Sequence, residues 1–237
     1  MTRLSVNINK YALVRNSRGG SEPNILKIAQ DCERFGAEGI TVHPRQDERH
    51  IRYSDIAPLK EIVTTEFNIE GFPDERFMQM VLAVKPHQCT LVPDASNQLT
   101  SDHGWDTLNN KEFLTEIVGK LQEQGIRVSL FLNPDEKQVE GAKLVGTDRI
   151  ELYTGPYAEE YPTNRDSAIA PHIRAAEIAG KLGLGINAGH DLNLDNLKFY
   201  KDNIENLAEV SIGHALICDA IYMGLETTIK RYLEELK

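Results

Sequence analysis

The stretch ITVH at residues 40–43 alternates apolar and polar side chains and ends on a histidine. This alternation is typical of a β-strand, because successive side chains of a strand point to opposite faces. The same pattern recurs along the chain, which predicts that the ends of many strands surround one cavity. Six more predicted strands with a useful polar side chain at or near the end are VNIN (6–9), NIE (68–70), SLFLN (129–133), IELYT (150–154), INAGH (186–190) and SIGH (211–214).

Helical patterns separate these strands along nearly the whole chain. Strands joined by helical crossovers run parallel to one another, and a parallel sheet is covered on both faces. The 237 residues also agree with the roughly 250 that an α/β barrel commonly needs. We therefore predict an α/β fold, a (β/α)8 TIM barrel that occupies residues 1–237 as a single domain. The eight predicted strands lie near residues 4–9, 39–43, 67–71, 88–93, 127–132, 149–154, 185–189 and 209–213.

Several connecting segments have a recognisable character. An apolar stripe predicts the first helix over 25–35, and Ser54 is the expected N-cap of a helix over 55–64. The segment RNSRGG at 15–20 predicts a mobile cationic loop or an ordinary surface turn. The longest predicted loops, which are candidate lids, are 94–110 and 155–164.

Alternate positions of the predicted strands are polar, as at Ser5, Thr41 and Asn68. An antiparallel sheet with one wet face would give the same pattern, but the helical crossovers argue against it. A doubly wound open sheet is the structural alternative, although its central strands are usually almost continuously apolar. Buried polar groups are costly unless they are satisfied, so a polar barrel interior predicts a ligand cavity.

Composition excludes several classes of partner. The net charge of −10 disfavours nucleic acid and anionic membranes. No apolar run approaches the roughly 20 residues of a membrane helix, and the N-terminal stretch lacks the apolar core of a secretion signal. Cys32, Cys89 and Cys218 form no CxxC pair, which predicts buried free thiols in a reducing cytoplasm. We therefore expect a cytoplasmic protein that acts on small molecules.

The segment around His43 and the ends of two other strands carry groups suited to proton transfer. Histidine exchanges protons at neutral pH, and Arg45 and His50 follow His43 within reach of an anion. Glu70 and Glu151 lie at inward strand positions, where burial would raise a carboxyl pKa toward the range needed for acid/base catalysis. A salt bridge to a lysine or arginine is the alternative interpretation of each glutamate.

Two glycine–histidine pairs end the last two predicted strands, at His190 and His214. Barrels of this kind often bind phosphate there, because glycine allows close approach to backbone N–H groups and a helix N-terminus follows. A hydrogen-bonded core histidine is the alternative in each case. No residues form a convincing metal-binding set. Histidines expected to be structural or exposed are His87, His103 and His172.

Blocks of the sequence, taken in order, resemble the pyridoxine 5′-phosphate synthase family over nearly the whole chain. The resemblance implies a (β/α)8 barrel with extra helices that assembles as a homo-octamer. It also implies an enzyme of vitamin B6 synthesis, a transferase that needs no metal or organic cofactor. The blocks are VNINKYALVRNSRGG, GITVHPRQDERHI, FNIEG, CTLVPD, GIRVSLFLNPD, IELYTGPYA, INAGHDLN and SIGHALI.

The implied reaction condenses 1-deoxy-D-xylulose 5-phosphate with 3-amino-2-oxopropyl phosphate, giving pyridoxine 5′-phosphate, inorganic phosphate and water. By motif match, His43 and Glu70 accept protons and His190 donates one. Glu151 supports the transition state. Residues implied to hold the deoxyxylulose phosphate are Arg45, His50 and Thr100. Residues implied to hold the aminoketone phosphate are Asn7, Arg18, Gly213 and His214.

The sequence departs from the family pattern at two places within these blocks. The family often has Asp-His where this chain has Asn9 and Lys10, and we expect Asn9 to bind a substrate hydroxyl and Lys10 to supply the positive charge. The family often has glycine after the NAGH histidine, where this chain has Asp191. A carboxylate there lies near a phosphate, so we expect Asp191 to point away from it.

Two other functions fit part of the pattern. Another phosphate-binding barrel isomerase or synthase would use the sites after strands seven and eight, but it needs no second anion site at Arg45 and His50. A non-catalytic barrel that binds a sugar phosphate would not need His43, Glu70 and His190 to converge.

Overall fold

A computed structural model of the chain describes residues 1–94 and 100–237. Its strands form a closed parallel barrel in chain order, and β8 pairs with β1 to complete the ring. The α/β barrel prediction is therefore confirmed. The strands are β1 Arg3–Asn7, β2 Gly39–Val42, β3 Glu66–Gly71, β4 Gln88–Leu91, β5 Arg127–Leu132, β6 Arg149–Tyr153, β7 Gly185–His190 and β8 Leu207–Ile212.

Helices surround the barrel, and the described residues contain more of them than the crossovers alone require. Two helices follow β1 and two follow β8, which agrees with the expected extra helices. The helices are α1 Asn9–Arg18, α2 Ile25–Arg34, α3 Tyr53–Ile62, α4 Glu75–Val84, α5 Lys111–Gln122, α6 Glu136–Val145, α7 Gly155–Lys181, α8 Leu197–Asn203, α9 His214–Met223 and α10 Leu225–Glu235.

The segment after β1 is helical, so the expected loop over 15–20 is wrong for its first part. β1 ends at Asn7 and α1 begins at Asn9. The sequence pattern does not predict this helix, because only Ala12 and Arg15 of α1 are buried and α1 therefore has no apolar stripe. Arg15 is far from mobile, since its guanidinium binds both carboxylate oxygens of Asp55 at 2.8 and 2.9 Å.

The candidate lid at 155–164 is also helical, since it forms the first part of α7. The segment contains Gly155 and Pro162, which usually disfavour a helix interior, and a kink at Asn164 (φ −153°, ψ 85°) lets two helical segments join there. Tyr157 is 1% exposed and packs edge-on against Tyr200, with ring centroids 5.0 Å apart. Burial of this aromatic anchors the segment against the barrel.

Two further expectations concern the N-cap of α3 and the other candidate lid. Helix α3 begins at Tyr53 with Arg52 as its N-cap, so Ser54 lies inside the helix. Of the candidate lid at 94–110, residues 95–99 lie outside the described residues, and residues 100–110 contain no helix or strand.

The structure also tests the predictions about the cysteines and about membrane-spanning helices. Cys32 and Cys89 are buried free thiols, as expected, whereas Cys218 is exposed on α9. The prediction for Cys218 is therefore wrong, because that apolar helix leaves most of its surface uncovered. In residues 1–94 and 100–237, no helix is both long and apolar enough to cross a membrane.

Polar side chains line the barrel interior in a continuous hydrogen-bonded ladder. The Oγ atoms of Ser5 and Thr41 are 2.7 Å apart, and Asn68 donates to Thr41 at 3.3 Å. Thr90 donates to Asn68 at 3.1 Å. Each of these side chains is at most 1% exposed, and the ladder satisfies their polar atoms. The predicted polar interior is thus confirmed.

A network of ion pairs fills the N-terminal end of the barrel. Arg3 lies 2.9 Å from Glu66 and 3.5 Å from Glu209, and Arg127 also pairs with Glu66. Arg149 donates to Asn187 at 3.1 Å beside them. The cavity that contains the predicted site residues opens at the other end, where the strands end.

Candidate active site

A cavity of about 530 Å³ lies at the C-terminal ends of the strands. It gathers residues from widely separated parts of the chain, as the closed barrel requires. Every predicted site residue except Arg18 lines it. These residues are Asn7, Asn9, Lys10, His43, Arg45, His50, Glu70, Thr100, Glu151, His190, Asp191, Gly213 and His214.

Arg18 lies outside the cavity lining. It is the last residue of α1, and it is exposed. The chain folds into a helix after β1 rather than into the expected loop, and Gly19 ends that helix in the left-handed conformation (φ 73°). This geometry carries the Arg18 side chain to the far end of α1, while Lys10 in the first turn lines the cavity.

His43 and Glu70 face each other inside the cavity. His43 Nδ1 lies 3.7 Å from Glu70 Oε2, and Asn7 Nδ2 donates to the same oxygen at 3.4 Å. Both side chains are largely buried. Burial lowers the pKa of His43 well below its ordinary value, and the positive charge of Arg45 lowers it further. His43 is therefore a neutral imidazole that can accept a proton.

Two buried glutamates share the floor of the cavity. Burial raises the pKa of Glu70 well above its ordinary value, and the charges of Glu151 and Asp94 raise it further. Burial also raises the pKa of Glu151 to about 7, although His190 and Thr90 act in the opposite direction. A carboxyl group with a pKa of about 7, such as that of Glu151, can both gain and lose protons near neutral pH.

Gly189 allows Glu151 to take its place. A methyl group at Gly189 would come within 2.2 Å of Glu151 Oε1. The carboxyl group therefore packs directly on the backbone of β7, one residue before His190. The sequence pattern gave glycine a role in phosphate approach, whereas here it makes room for a neighbouring acid.

Arg45 is held by Asp94, a site residue that the sequence analysis missed. Asp94 Oδ2 lies 2.5 Å from the Arg45 guanidinium, and it also accepts from Ser101 Oγ at 2.7 Å. His43 Nε2 is 3.9 Å from the same oxygen. Asp94 follows β4 in the block CTLVPD, so its place after a strand was the available signal.

His50 and Lys10 lie near Arg45. Burial lowers the pKa of His50 to about 4, with further lowering by the charges of Arg45, Arg49 and Lys10. The backbone carbonyl of His50 accepts hydrogen bonds from Arg15 at 3.1 Å and from Asn16 at 2.7 Å. Helix α1 thereby positions the loop after β2.

Asn9 connects the first two strand ends. Its Oδ1 accepts a hydrogen bond from the His43 backbone N–H at 2.9 Å, and its own N–H donates to Asn7 Oδ1 at 3.1 Å. The amide nitrogen of Asn9 can donate to a substrate hydroxyl while the oxygen keeps its hydrogen bond with His43.

His190 ends β7 with its imidazole between two partners. Nε2 lies 2.9 Å from Thr100 Oγ1, and Nδ1 lies 2.8 Å from Asp191 Oδ2. Asp191 thus lines the cavity and binds His190. The expectation that Asp191 points away is wrong, because the adjacent imidazole offers its carboxylate a hydrogen bond.

Gly213 and His214 form the start of α9. Gly213 is the N-cap and His214 the first helical residue, so backbone N–H groups and the positive end of the helix dipole face the cavity rim. A side chain at Gly213 would lie 3.1 Å from Asn7 Cβ, so the two strand ends approach closely here. This arrangement suits a phosphate group.

Aromatic residues that the sequence analysis did not select complete the wall. Phe131 and Tyr153 line the cavity with ring centroids 5.5 Å apart, and Tyr153 meets His190 edge-on at 5.3 Å. Their apolar surface suits a flat organic ring. Within residues 1–94 and 100–237, no group of three or more His, Cys, Asp or Glu side chains is placed to hold a metal ion.

The comparison with known families agrees with this geometry. The family model described as pyridoxal phosphate biosynthesis protein PdxJ matches residues 4–237. The chain belongs to the pyridoxine 5′-phosphate synthase family. A relative named pyridoxine 5′-phosphate synthase from Cytophaga hutchinsonii is 62% identical over 100% of both chains. Another of that name from Parabacteroides distasonis is 61% identical over 98% of both chains.

Solved structures show the same architecture in distant proteins. Phosphoribosyl anthranilate isomerase from Thermotoga maritima superposes with a TM-score of 0.62 and 13% identity, covering 100% of this chain and 98% of the isomerase. The corresponding isomerase from Pyrococcus furiosus gives a TM-score of 0.62 at 10% identity, with the same coverage. At this identity the likeness concerns the barrel alone, whereas the synthase family is identified by the sequence.

Proposed function

We propose that this chain condenses 1-deoxy-D-xylulose 5-phosphate with 3-amino-2-oxopropyl phosphate, without a metal or an organic cofactor. The products are pyridoxine 5′-phosphate, inorganic phosphate and water. Membership of the synthase family supports the activity. The observation that carries it is one cavity in which two groups of anion-binding residues, after β2 and after β8, flank buried acids and bases. An isomerase of one phosphorylated substrate needs only one such group.

The deoxyxylulose phosphate is assigned to the residues after β2. Arg45 and Lys10 supply positive charge, while His50 and Thr100 supply hydrogen bonds. Because burial lowers the pKa of His50 to about 4, this imidazole is neutral and binds through one N–H and one lone pair. The amide nitrogen of Asn9 is assigned to a substrate hydroxyl.

The aminoketone phosphate is assigned to the start of α9. Gly213 and His214 offer backbone N–H groups, and Asn7 lies against them from β1. Asp191 faces the same part of the cavity. Arg18 has no part in this assignment because it lies outside the cavity lining.

The chemistry requires several proton transfers within one enclosed site. The amine of one substrate attacks the ketone of the other with loss of water, phosphate is eliminated, and an aldol-type step closes the ring with loss of a second water. His43 and Glu70 accept protons, His190 donates one, and Glu151 stabilises charge in the transition state. Each such group contributes about 10²–10⁴-fold to the rate, and holding both substrates together supplies the entropic part.

An assay with both substrates tests the proposal. Purified protein should release phosphate and form the absorbance band of pyridoxine phosphate only when both substrates are present. The His43→Asn, Glu70→Gln double variant should lose this activity while it keeps a folded barrel by circular dichroism. Absence of product from the unaltered chain would refute the synthase activity, and full activity of the double variant would refute the assigned roles.

We also propose that the chain acts as a single domain in a cytoplasmic homo-octamer. Pairing of β1 with β8 joins the two ends of the chain in one barrel, which supports one domain. Exposed apolar side chains on α1 and α9, among them Val14 at 53% and Ile221 at 73%, support contacts with further copies. Light scattering after size exclusion tests the assembly, and a monomer at micromolar concentration would refute it.

A further inference from the structure

Asp191, His190 and Thr100 form a hydrogen-bonded chain at the end of β7. Asp191 Oδ2 lies 2.8 Å from His190 Nδ1, and Thr100 Oγ1 lies 2.9 Å from Nε2 of the same ring. We propose that Asp191 is a positioning residue that holds His190 as the Nδ1–H tautomer and aims Nε2 at the reacting atoms. This inference rests on the proposed function, in which His190 transfers a proton to substrate.

The chemistry of the carboxylate determines the tautomer. The hydrogen bond from His190 lowers the pKa of Asp191 below its ordinary value, against the opposing effect of burial, so Asp191 is ionised at neutral pH. An ionised carboxylate can only accept a hydrogen bond, so Nδ1 must carry the proton. In the Nδ1–H tautomer Nε2 is an acceptor, to which the Thr100 hydroxyl donates.

The backbone at His190 makes this support necessary. His190 has φ of +104°, a left-handed conformation that side chains other than glycine rarely adopt. The ring therefore cannot rely on a relaxed strand for its orientation. Asp191 holds one edge of the ring, Thr100 holds the opposite nitrogen, and Tyr153 packs edge-on at 5.3 Å.

The position of Asp191 argues against a purely structural role. Its side chain is 44% exposed, so it does not serve the core. It lines the cavity together with His214, whose positive charge would lower its pKa further. A carboxylate near an assigned phosphate site opposes binding of that phosphate. The Asp191 carboxylate therefore serves proton transfer by His190 rather than binding of the phosphate.

Proton transfer at Nε2 then follows a defined cycle. Nε2 takes a proton that the substrate releases and becomes part of an imidazolium, which the carboxylate of Asp191 stabilises through Nδ1–H. The imidazolium returns the proton from Nε2 to a leaving or ring-closing oxygen, and the ring regains its starting tautomer. In this cycle the substrate oxygen replaces the Thr100 hydroxyl as the hydrogen-bond partner of Nε2.

Three variants separate positioning from charge. Asp191→Gly removes both the hydrogen bond and the charge, and it introduces the residue that is frequent in the family at this position. Asp191→Asn keeps an oxygen that can accept from Nδ1–H but removes the charge. Asp195→Asn is the matched control, because it removes an exposed carboxylate from the same loop, outside the cavity lining.

The first readout is the ring tautomer by ¹⁵N NMR of histidine-labelled protein, with His190→Gln used to assign the His190 signals. The unaltered chain, Asp191→Asn and Asp195→Asn should show the Nδ1–H form, and Asp191→Gly should shift toward the Nε2–H form. The same tautomer in Asp191→Gly and in the unaltered chain would overturn the proposal. This readout requires no catalytic activity, so it stands even if the proposed synthase activity fails.

The second readout is steady-state kinetics. In Asp191→Gly, kcat should fall about 10–100-fold, the range seen when the hydrogen-bond partner of a metal-bound histidine is removed. KM for the aminoketone phosphate should fall as well, because the repelling carboxylate is gone. Asp191→Asn should lie between, and Asp195→Asn should match the unaltered chain. A shifted tautomer with unchanged kcat would overturn the positioning role.

Discussion

The carboxylate of Asp94 lies 2.5 Å from the guanidinium of Arg45, and both side chains are less than one-tenth exposed. In the absence of substrate, this carboxylate compensates the cost of burying the arginine. A substrate phosphate that reaches Arg45 brings a second negative charge to the same cation. The pair therefore links the stability of the empty protein to the occupancy of the assigned deoxyxylulose phosphate site.

Asp94→Asn should destabilise the empty protein by about 3–5 kcal/mol, because it leaves the buried charge of Arg45 without its carboxylate. Deoxyxylulose phosphate should raise the melting temperature of this variant more than that of the unaltered chain, since phosphate replaces the lost charge. Thermal unfolding with and without the substrate measures both effects. Ser101→Ala, which removes one hydrogen bond to Asp94, is the control. Equal stabilisation of both proteins by substrate would contradict the prediction.

Glu151→Gln should move the acid limb of the kcat/KM profile to lower pH. Burial is the first reason that the pKa of Glu70 is raised, and the charge of Glu151 is the second. Removing that charge lowers the pKa of Glu70, so Glu70 ionises, and can act as a base, at lower pH. His43 does not produce this limb, because its own pKa lies well below the ordinary value. An acid limb that stays in place or rises would disprove the coupling.

Gly189→Ala should reduce kcat by at least about tenfold, because the new methyl group would lie 2.2 Å from Glu151 Oε1 and displace that carboxyl group. The control is Gly119→Ala in α5, where no neighbouring atom lies within 4 Å of the added methyl. That change should raise the free energy of unfolding by about 0.5–1 kcal/mol and leave kcat unchanged. Steady-state kinetics and urea unfolding of both variants check the contrast.

Glu209→Gln should weaken the dependence of stability on pH. Burial and the charge of Glu66 raise the pKa of Glu209 to about 8 from 4.5, so the folded state holds a proton that the unfolded state releases. Stability is therefore lost as pH rises from about 4.5 to about 8. The variant should lose less over this window, by on the order of 3 kcal/mol. Urea unfolding between pH 5 and pH 8 measures the difference.

Glu66→Gln provides the opposite case at the same end of the barrel. Burial raises the pKa of Glu66, but the hydrogen bond and charge of Arg127 and the charge of Arg3 outweigh burial and lower it. Its stabilising effect is thus present above the ordinary carboxyl pKa and is lost as pH falls. This variant should be less stable than the unaltered chain at neutral pH, and the difference should shrink in acid. Parallel pH profiles for the two variants would contradict both assignments.

The barrel was predictable because its evidence is local and repeated. Strands such as ITVH show their period within four or five residues, and the helices between them force parallel pairing. The elements that sequence reasoning missed lack such a period. Helix α1 buries only Ala12 and Arg15, and the start of α7 contains residues that usually interrupt helices. Tertiary contacts, such as that of Arg15 with Asp55, decide these segments.

The positions of site residues could be predicted where those residues end strands. They could not be predicted where the orientation of a side chain depends on a neighbour. His43, Glu70 and His190 occupy strand ends, so closure of the sheet brings them to one cavity. The direction of Asp191 depends instead on an adjacent imidazole, and the place of Arg18 depends on the length of α1. Asp94 also follows a strand, but its role depends on its contact with Arg45, which lies in the loop after β2.

The backbone of His190, with φ at +104°, has a consequence for the durability of the protein. A residue in that conformation costs on the order of 1–3 kcal/mol, which glycine would not incur. Replacing His190 by glycine would relieve this strain, but it would also remove the hydrogen bonds to Asp191 and Thr100 and the assigned proton donor. The strained backbone is thus a cost in stability that accompanies the placement of an imidazole at the reacting centre.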